Sequence, residues 1–174
     1  MTIAVLPIKR FSAAKTRLER DDRAAVMRGM AERVIRAVVA SSVRRLLVVT
    51  ADADAAVMAR GHGAEIVTEP GLVGHSAAAS LGVARAIELG AERVLLLPGD
   101  CPLLSAADVD ALLAAHAGPG VVVLPDRHGT GTNGLLLCPP DVITPAFGPG
   151  SRARHEQLAR SAGARCVVDA RTAF

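Results

Sequence analysis

The sequence contains no tryptophan and no tyrosine, and only three phenylalanines, Phe11, Phe147 and Phe174. Proteins that hold single-stranded nucleic acid stack bases on aromatic platforms, so the composition speaks against a nucleic-acid partner. The formal charge of +3 and the pI near 9.1 do not restore one. The arginines are spread over every segment beside Glu and Asp instead of forming one stripe. A basic balance equally suits a small polyanion such as a nucleoside triphosphate.

Other scarcities narrow the choice further. Cys101, Cys138 and Cys166 are odd in number, far apart and without ligand spacing, so neither a disulfide frame nor a zinc site is suggested. No stretch approaches the roughly 20 apolar residues of a membrane span, and the "TIAVL" start shows no basic leader or cleavage site. The expectation is a cytoplasmic protein with no membrane partner; a homodimer is left open. The five histidines have neither H-x-x-x-H spacing nor a serine partner, so no histidine chemistry is expected. Lysine is the scarcest cation. Two of the 20 long cations are lysine, Lys9 and Lys15, and both lie in "PIKRFSAAKTRL". These positions call for a compact ammonium in place of a planar fork.

What is present reads as one domain, residues 1–174, with 51% apolar and 21% charged residues, enough for a sizeable core. Short β-branched or leucine runs at Thr2–Leu6, Leu46–Thr50, Glu65–Val67, Val94–Leu97, Val121–Leu124, Gly134–Leu137 and Cys166–Asp169 predict strands. Helices are predicted between them at Asp22–Val39, Asp54–Arg60, Ser76–Leu89, Ser105–His116 and Ser151–Ala162. Ser105 with Asp108 gives the S-x-x-D signature of a helix start. Such alternation predicts an α/β fold, a mostly parallel central sheet with helices on both faces.

Open α/β sheets bind ligands beyond the carboxyl ends of their strands, and every unusual stretch follows a strand: "PIKRFSAAKTRL", "TEPGLVGHS", "PGDCPLL", "PDRHGTGTNG" and the terminal Asp169. Gly129, Gly131 and Gly134 spell G-x-G-x-x-G, but the dinucleotide fingerprint must open a helix, and "GLLLC" reads as a strand. Asp100, after a leucine strand and a glycine, suits a hard cation shared with phosphate oxygens. Asp169 at the end of "CVVD" can join it if the last strand lies near the fourth. Ser151 opens a helix, where backbone N–H groups favour an anion.

Taken together, "PIKRFSAAKTRL", "PGDCPLL", "DRHGTGTNGLLL" and "FGPGSRARH" resemble the guanylyltransferases of coenzyme F-420 biosynthesis, the 2-phospho-L-lactate and phosphoenolpyruvate guanylyltransferases of the nucleotidyltransferase superfamily. The resemblance covers nearly the whole chain and implies a Rossmann-like nucleotidyltransferase fold. It implies GMP transfer from GTP to a small phosphorylated three-carbon acid, with Mg²⁺ and release of pyrophosphate. It puts Lys9, Lys15 and Arg17 on the triphosphate, with Lys15 catalytic, and Asp100 and Asp169 on the metal, Asp100 also catalytic. Thr132, Gly148 and Ser151 match its acid-binding positions, and Asn133 adds an amide donor beside them. Where relatives carry Leu-Asn near the nucleotide, this chain has His75-Ser76, which makes Ser76 the nucleotide-binding candidate. The "DARTAF" ending also departs from the family pattern. Two alternatives stand beside this reading: a molybdenum-cofactor guanylyltransferase-like enzyme, though "GG-x-S-x-R-x-G" is lacking, and a non-catalytic nucleotide-sensing domain. The arginine- and alanine-heavy composition looks like that of a bacterial, actinobacterial-type relative, for which the resemblance implies phosphoenolpyruvate as the acid.

Overall fold

Six consecutive buried residues, Thr2–Pro7, form strand β1. A run without polar alternation needs cover on both faces, and β1 lies inside a seven-stranded sheet with helices on each side. The computed structural model describes residues 1–9, 11, 20–69, 71, 74–171 and 173–174. The further strands are β2 (Arg45–Thr50), β3 (Glu65–Thr68), β4 (Arg93–Leu96), β5 (Gly120–Pro125), β6 (Thr132–Cys138) and β7 (Cys166–Val168). The helices are α1 (Arg20–Val39), α2 (Ala53–Gly61), α3 (His75–Glu88), α4 (Ala106–Ala115) and α5 (Ser151–Ser161). Each predicted element is present to within two residues at either end. The S-x-x-D start is a full capping box, the Ser105 hydroxyl and the Asp108 carboxylate each accepting the other's backbone N–H.

The strand order is β3-β2-β1-β4-β6-β5-β7. All pairings are parallel except those of β6, which runs against both β4 and β5. Residues 126–131 turn the chain from β5 into β6, so "DRHGTG" is a hairpin connection and the start of β6 meets the carboxyl ends of the other strands. The rim therefore collects the residues after β1, β2, β3, β4, β5 and β7 together with Thr132 and Asn133 from β6.

Alternate residues of the strands face two cores. Ala4, Leu6, Val48 and Leu95 pack with Val34 and Ile35 of α1, Ala59 of α2 and Leu112 of α4. Ile3, Val5, Val49 and Leu96 pack with Ala79, Val83 and Ala86 of α3 and Ala159 of α5. Helix α3 lies so close to the sheet that a Cβ at Gly82 would strike the methyl groups of Val5 and Val49. Val5 is completely buried and its χ1 is stiff. Gly82→Ala gains about 1 kcal/mol of helix propensity, but overpacking costs about 1–3 kcal/mol, so the variant should melt below the parent. An unchanged Tm would show that α3 can lift off the sheet without loss.

Candidate active site: two cavities sharing a wall

Two cavities open on the rim. The first, of about 550 Å³, lies between the β1 and β4 loops and α1, and receives Lys9, Gly99 and Asp100. The second, of about 490 Å³, lies over the start of β6 and the N-terminus of α5, and receives Ser76, Thr132, Gly148 and Ser151. Lys9, His75 and Asn133 line both cavities and form the wall between them.

The β1 loop is fixed where it leaves the sheet. Ile8 donates its N–H to the Val49 carbonyl at 2.9 Å, and Phe11 donates to an Asp52 carboxylate oxygen at 3.0 Å, while the other oxygen of Asp52 caps α2. Lys9 stands between these ties. Asp100 follows the buried β4 and Gly99, and its carboxylate accepts no hydrogen bond from the described residues; it is exposed at the first cavity. A carboxylate without a hydrogen-bond partner among the described residues is available to a shared cation.

The second cavity is built by two loops that hold each other. Asp126 turns its carboxylate back onto its own loop, accepting from the N–H groups of Thr130 at 3.0 Å and His128 at 3.2 Å. Its carboxyl is held below the usual range, first by the backbone at Gly131 and then by those of Thr130 and His128. A Cβ at Gly131 would collide with this carboxylate, which explains the glycine in "GTGTN". Asp126 thus lines the cavity with its charge engaged by the loop. Gly148 and Gly150 adopt positive φ values of 122° and 69° before α5, a turn that few other residues tolerate. Arg152 ties the two loops, its N–H going to Thr130 O and its guanidinium to Gly129 O, and Arg154 donates to Ala146 O and Pro149 O. Ser151 is 1% exposed, yet its hydroxyl has no hydrogen-bond partner among the described residues and borders the cavity.

Four acid-binding candidates, Thr132, Asn133, Gly148 and Ser151, are brought together in the second cavity. Lys9 and Asp100 meet in the first. Ser76 sits with the acid-binding group, its hydroxyl donating to Phe147 O at 3.2 Å. Lys15 and Arg17 lie outside the described residues. Asp169 follows the edge strand of the sheet. Its strand β7 is separated from β4 by β6 and β5, about 14 Å at the usual strand spacing. The last and fourth strands are therefore not neighbours in the sheet. The Asp169 carboxylate accepts from His116 at 2.7 Å and Arg171 at 2.8 Å. Among the described residues no group of three or more His, Cys, Asp or Glu side chains could hold a metal ion.

Sequence reasoning passed over two histidines. His75 makes an edge-on contact with Phe147 at 4.8 Å between ring centroids, and Phe147 makes a second edge-on contact with His155 at 5.3 Å. Burial, then Lys9, lowers the His75 pKa from its ordinary value, with Asp100 acting the other way. His155 is fully buried. Its pKa is pushed down to about 4 by burial and, secondarily, by Arg154. The unfolded chain takes up this proton near pH 6.5 and the folded chain does not until about pH 4, so stability falls as pH drops through that window. The loss amounts to up to about 3 kcal/mol. Denaturant midpoints measured from pH 7 to pH 4 should fall more steeply for the parent than for His155→Gln; equal slopes would contradict this.

The fold and rim define a nucleotidyltransferase-type α/β protein, and solved structures share that fold. A Desulfovibrio desulfuricans protein assigned as a nucleotide-diphospho-sugar transferase matches at TM-score 0.78 and 14% identity, over 97% of this chain and 79% of its own. A Methanothermobacter nucleotidyl transferase matches at TM-score 0.67 and 22% identity, over 98% and 88%. A Mycobacterium tuberculosis glucosyl-3-phosphoglycerate synthase, solved with Mg²⁺ and uridine-diphosphate, matches at TM-score 0.65 and 16% identity, over 96% and 68%. Residues 2–170 match the family model "Guanylyl transferase CofC like", and the chain belongs to this family of guanylyltransferases. Relatives include phosphoenolpyruvate guanylyltransferases of Conexibacter woesei, 48% identical over 93% of this chain and 76% of the relative, and of Sphaerobacter thermophilus, 40% identical over 93% and 80%. A 3-phospho-D-glycerate guanylyltransferase of Phenylobacterium zucineum is 36% identical over 97% and 81%. No helix among the described residues is long and apolar enough to cross a membrane.

Proposed function

We propose that this chain transfers GMP from GTP to phosphoenolpyruvate. A phosphate oxygen of the acid attacks the α-phosphorus, the bond from that phosphorus to the β-phosphate bridge breaks, and pyrophosphate leaves. The observation that carries the reading is the shared wall of Lys9, His75 and Asn133, with a carboxylate that accepts no hydrogen bond from the described residues on one side and a hydroxyl-lined recess at a helix start on the other. The triphosphate takes the Asp100 side and the acid takes the Thr132–Ser151 side, so the reacting phosphates meet at the wall. Holding them there supplies proximity and charge neutralisation, the main demands of phosphoryl chemistry. No protein base is needed, because the attacking phosphate is already anionic.

Asp100 fits Mg²⁺ that arrives with the nucleotide, since this ion commonly takes one or two carboxylates together with phosphate oxygens and water. When bound, it supplies neutralisation of charge on the transferring group. Lys9 and, beyond it, Lys15 and Arg17 supply the cations for the β- and γ-phosphates, and Lys15 and Arg17 stabilise the leaving pyrophosphate.

The Phenylobacterium relative gives one specific reason for a second reading, with 3-phospho-D-glycerate as the acid. A grid of GTP, ATP and CTP against phosphoenolpyruvate, 2-phospho-L-lactate and 3-phosphoglycerate, read by pyrophosphate release, separates them. The highest kcat/KM is expected for GTP with phosphoenolpyruvate. No release with any pair would remove the reading, and preference for another acid would change only the acceptor.

A further inference from the structure

His155 donates or accepts at both ring nitrogens, and the two partners fix its tautomer. Nε2 accepts the N–H of Ala146 at 2.9 Å, so that nitrogen carries no proton. The proton of the neutral ring is then on Nδ1, which lies 3.0 Å from Thr132 Oγ1. Thr132 Oγ1 must accept this hydrogen bond. Its own hydroxyl hydrogen is thereby left for another acceptor, and the residue faces the second cavity. Burial keeps the ring neutral, which maintains this polarity at working pH. Turning the ring over would put carbons in place of both nitrogens and strand the Ala146 N–H, and Phe147 packs against the ring edge-on.

We propose that His155 is a positioning residue for the acid substrate: through its Nδ1–H it holds the Thr132 oxygen as acceptor and so aims the Thr132 hydroxyl hydrogen at an anionic oxygen in the cavity. The proposal rests on the reading above that Thr132 contacts the acid. A free threonine hydroxyl can turn its hydrogen toward either neighbour; this one cannot spend it on His155 and keeps it for the cavity, which favours an anionic oxygen at that spot. The bond from Ala146 adds a second constraint, on the loop that leads to Gly148 and Ser151.

Two amide replacements separate the two bonds. In His155→Asn the side-chain NH₂ reaches the Nδ1 position and can still donate to Thr132. In His155→Gln the amide oxygen reaches the Nε2 position and can still accept from Ala146, but the donor to Thr132 is lost. The acid KM is expected to rise about tenfold in His155→Gln, the scale of one misdirected bond to a charged group, with the GTP KM unchanged. His155→Asn should stay within about threefold of the parent in acid KM. In a Thr132→Val background, His155→Gln should add nothing further to the acid KM, because the group it acts through is gone.

Equal effects of Gln and Asn, or a Gln effect that multiplies in full with Thr132→Val, would overturn the proposal while leaving the acid site in place. A Thr132→Val enzyme with unchanged KM for every acid would overturn the acid site and the proposal together. A measurement on the unaltered protein guards against variants that fail to fold. Imidazole ¹H–¹⁵N spectra should show His155 protonated on Nδ1 at pH 7, and protonation on Nε2 would refute the proposed arrangement.

Discussion

Asp100→Asn is expected to lower turnover by at least about 100-fold, and by several orders of magnitude if the cation is no longer held, since metal charge stabilisation is worth several kcal/mol. The fold should be unaffected. Asp100 is exposed on the rim and accepts no hydrogen bond from the described residues, so the amide removes charge and no packing. Equal melting temperatures with lost turnover would place the effect on the reaction, and a folded, fully active Asp100→Asn enzyme would remove Asp100 from it. Asp169→Asn should behave differently. Burial pushes the Asp169 carboxyl up, but hydrogen bonds from His116 and Arg171 outweigh it and hold the group below the ordinary range. Loss of that charge should lower stability and leave the Mg²⁺ dependence of turnover as it was. A shifted Mg²⁺ titration would return Asp169 to the metal.

The second large effect is expected in the acid recess, where two hydroxyls with different partners should fail in different ways. Each hydrogen bond to an anionic group is worth about 1.5–3 kcal/mol, so Thr132→Val and Ser151→Ala should each reduce kcat/KM for the acid by about 10–150-fold. The KM for GTP should change little. Stability separates the two. Ser151 Oγ has no partner among the described residues, and its removal leaves nothing unpaired. Thr132→Val strands the buried Nδ1–H of His155, which costs about 1–3 kcal/mol, and the melting temperature should drop accordingly. If Ser151→Ala proves the more destabilising of the pair, the assignment of partners around α5 is wrong.

The sequence made the rim legible because loop chemistry is local. "PGDCPLL" follows four leucine-rich residues, "GTGTN" contains the glycine that the Asp126 carboxylate requires, and "FGPGS" contains the two glycines that turn the chain into α5. Strand order is not local. That β6 runs antiparallel and inserts between β4 and β5 depends on pairings between residues far apart in the chain, and this insertion places two strands between β4 and β7. The spacing between Thr132 and His155 likewise has no periodicity that would reveal their bond. A search for zinc or triad patterns could not find a histidine whose partners are a threonine hydroxyl and a backbone N–H. The one available signal was its place in "FGPGSRARH", four residues into a helix that opens at the anion-binding end.

The central claim is that a phosphate oxygen of the acid attacks the α-phosphorus of GTP and becomes the bridge between the two phosphates. It is tested most directly with phosphoenolpyruvate carrying ¹⁸O in the non-bridging oxygens of its phosphate. After reaction with GTP, ³¹P NMR should show a coupled diphosphate pair in the product, with an ¹⁸O isotope shift on the guanosine phosphorus as well as on the acid phosphorus, alongside free pyrophosphate. That pattern requires the acid's own oxygen to bridge the two. Release of orthophosphate, or a guanosine phosphorus without the isotope shift, would contradict the account.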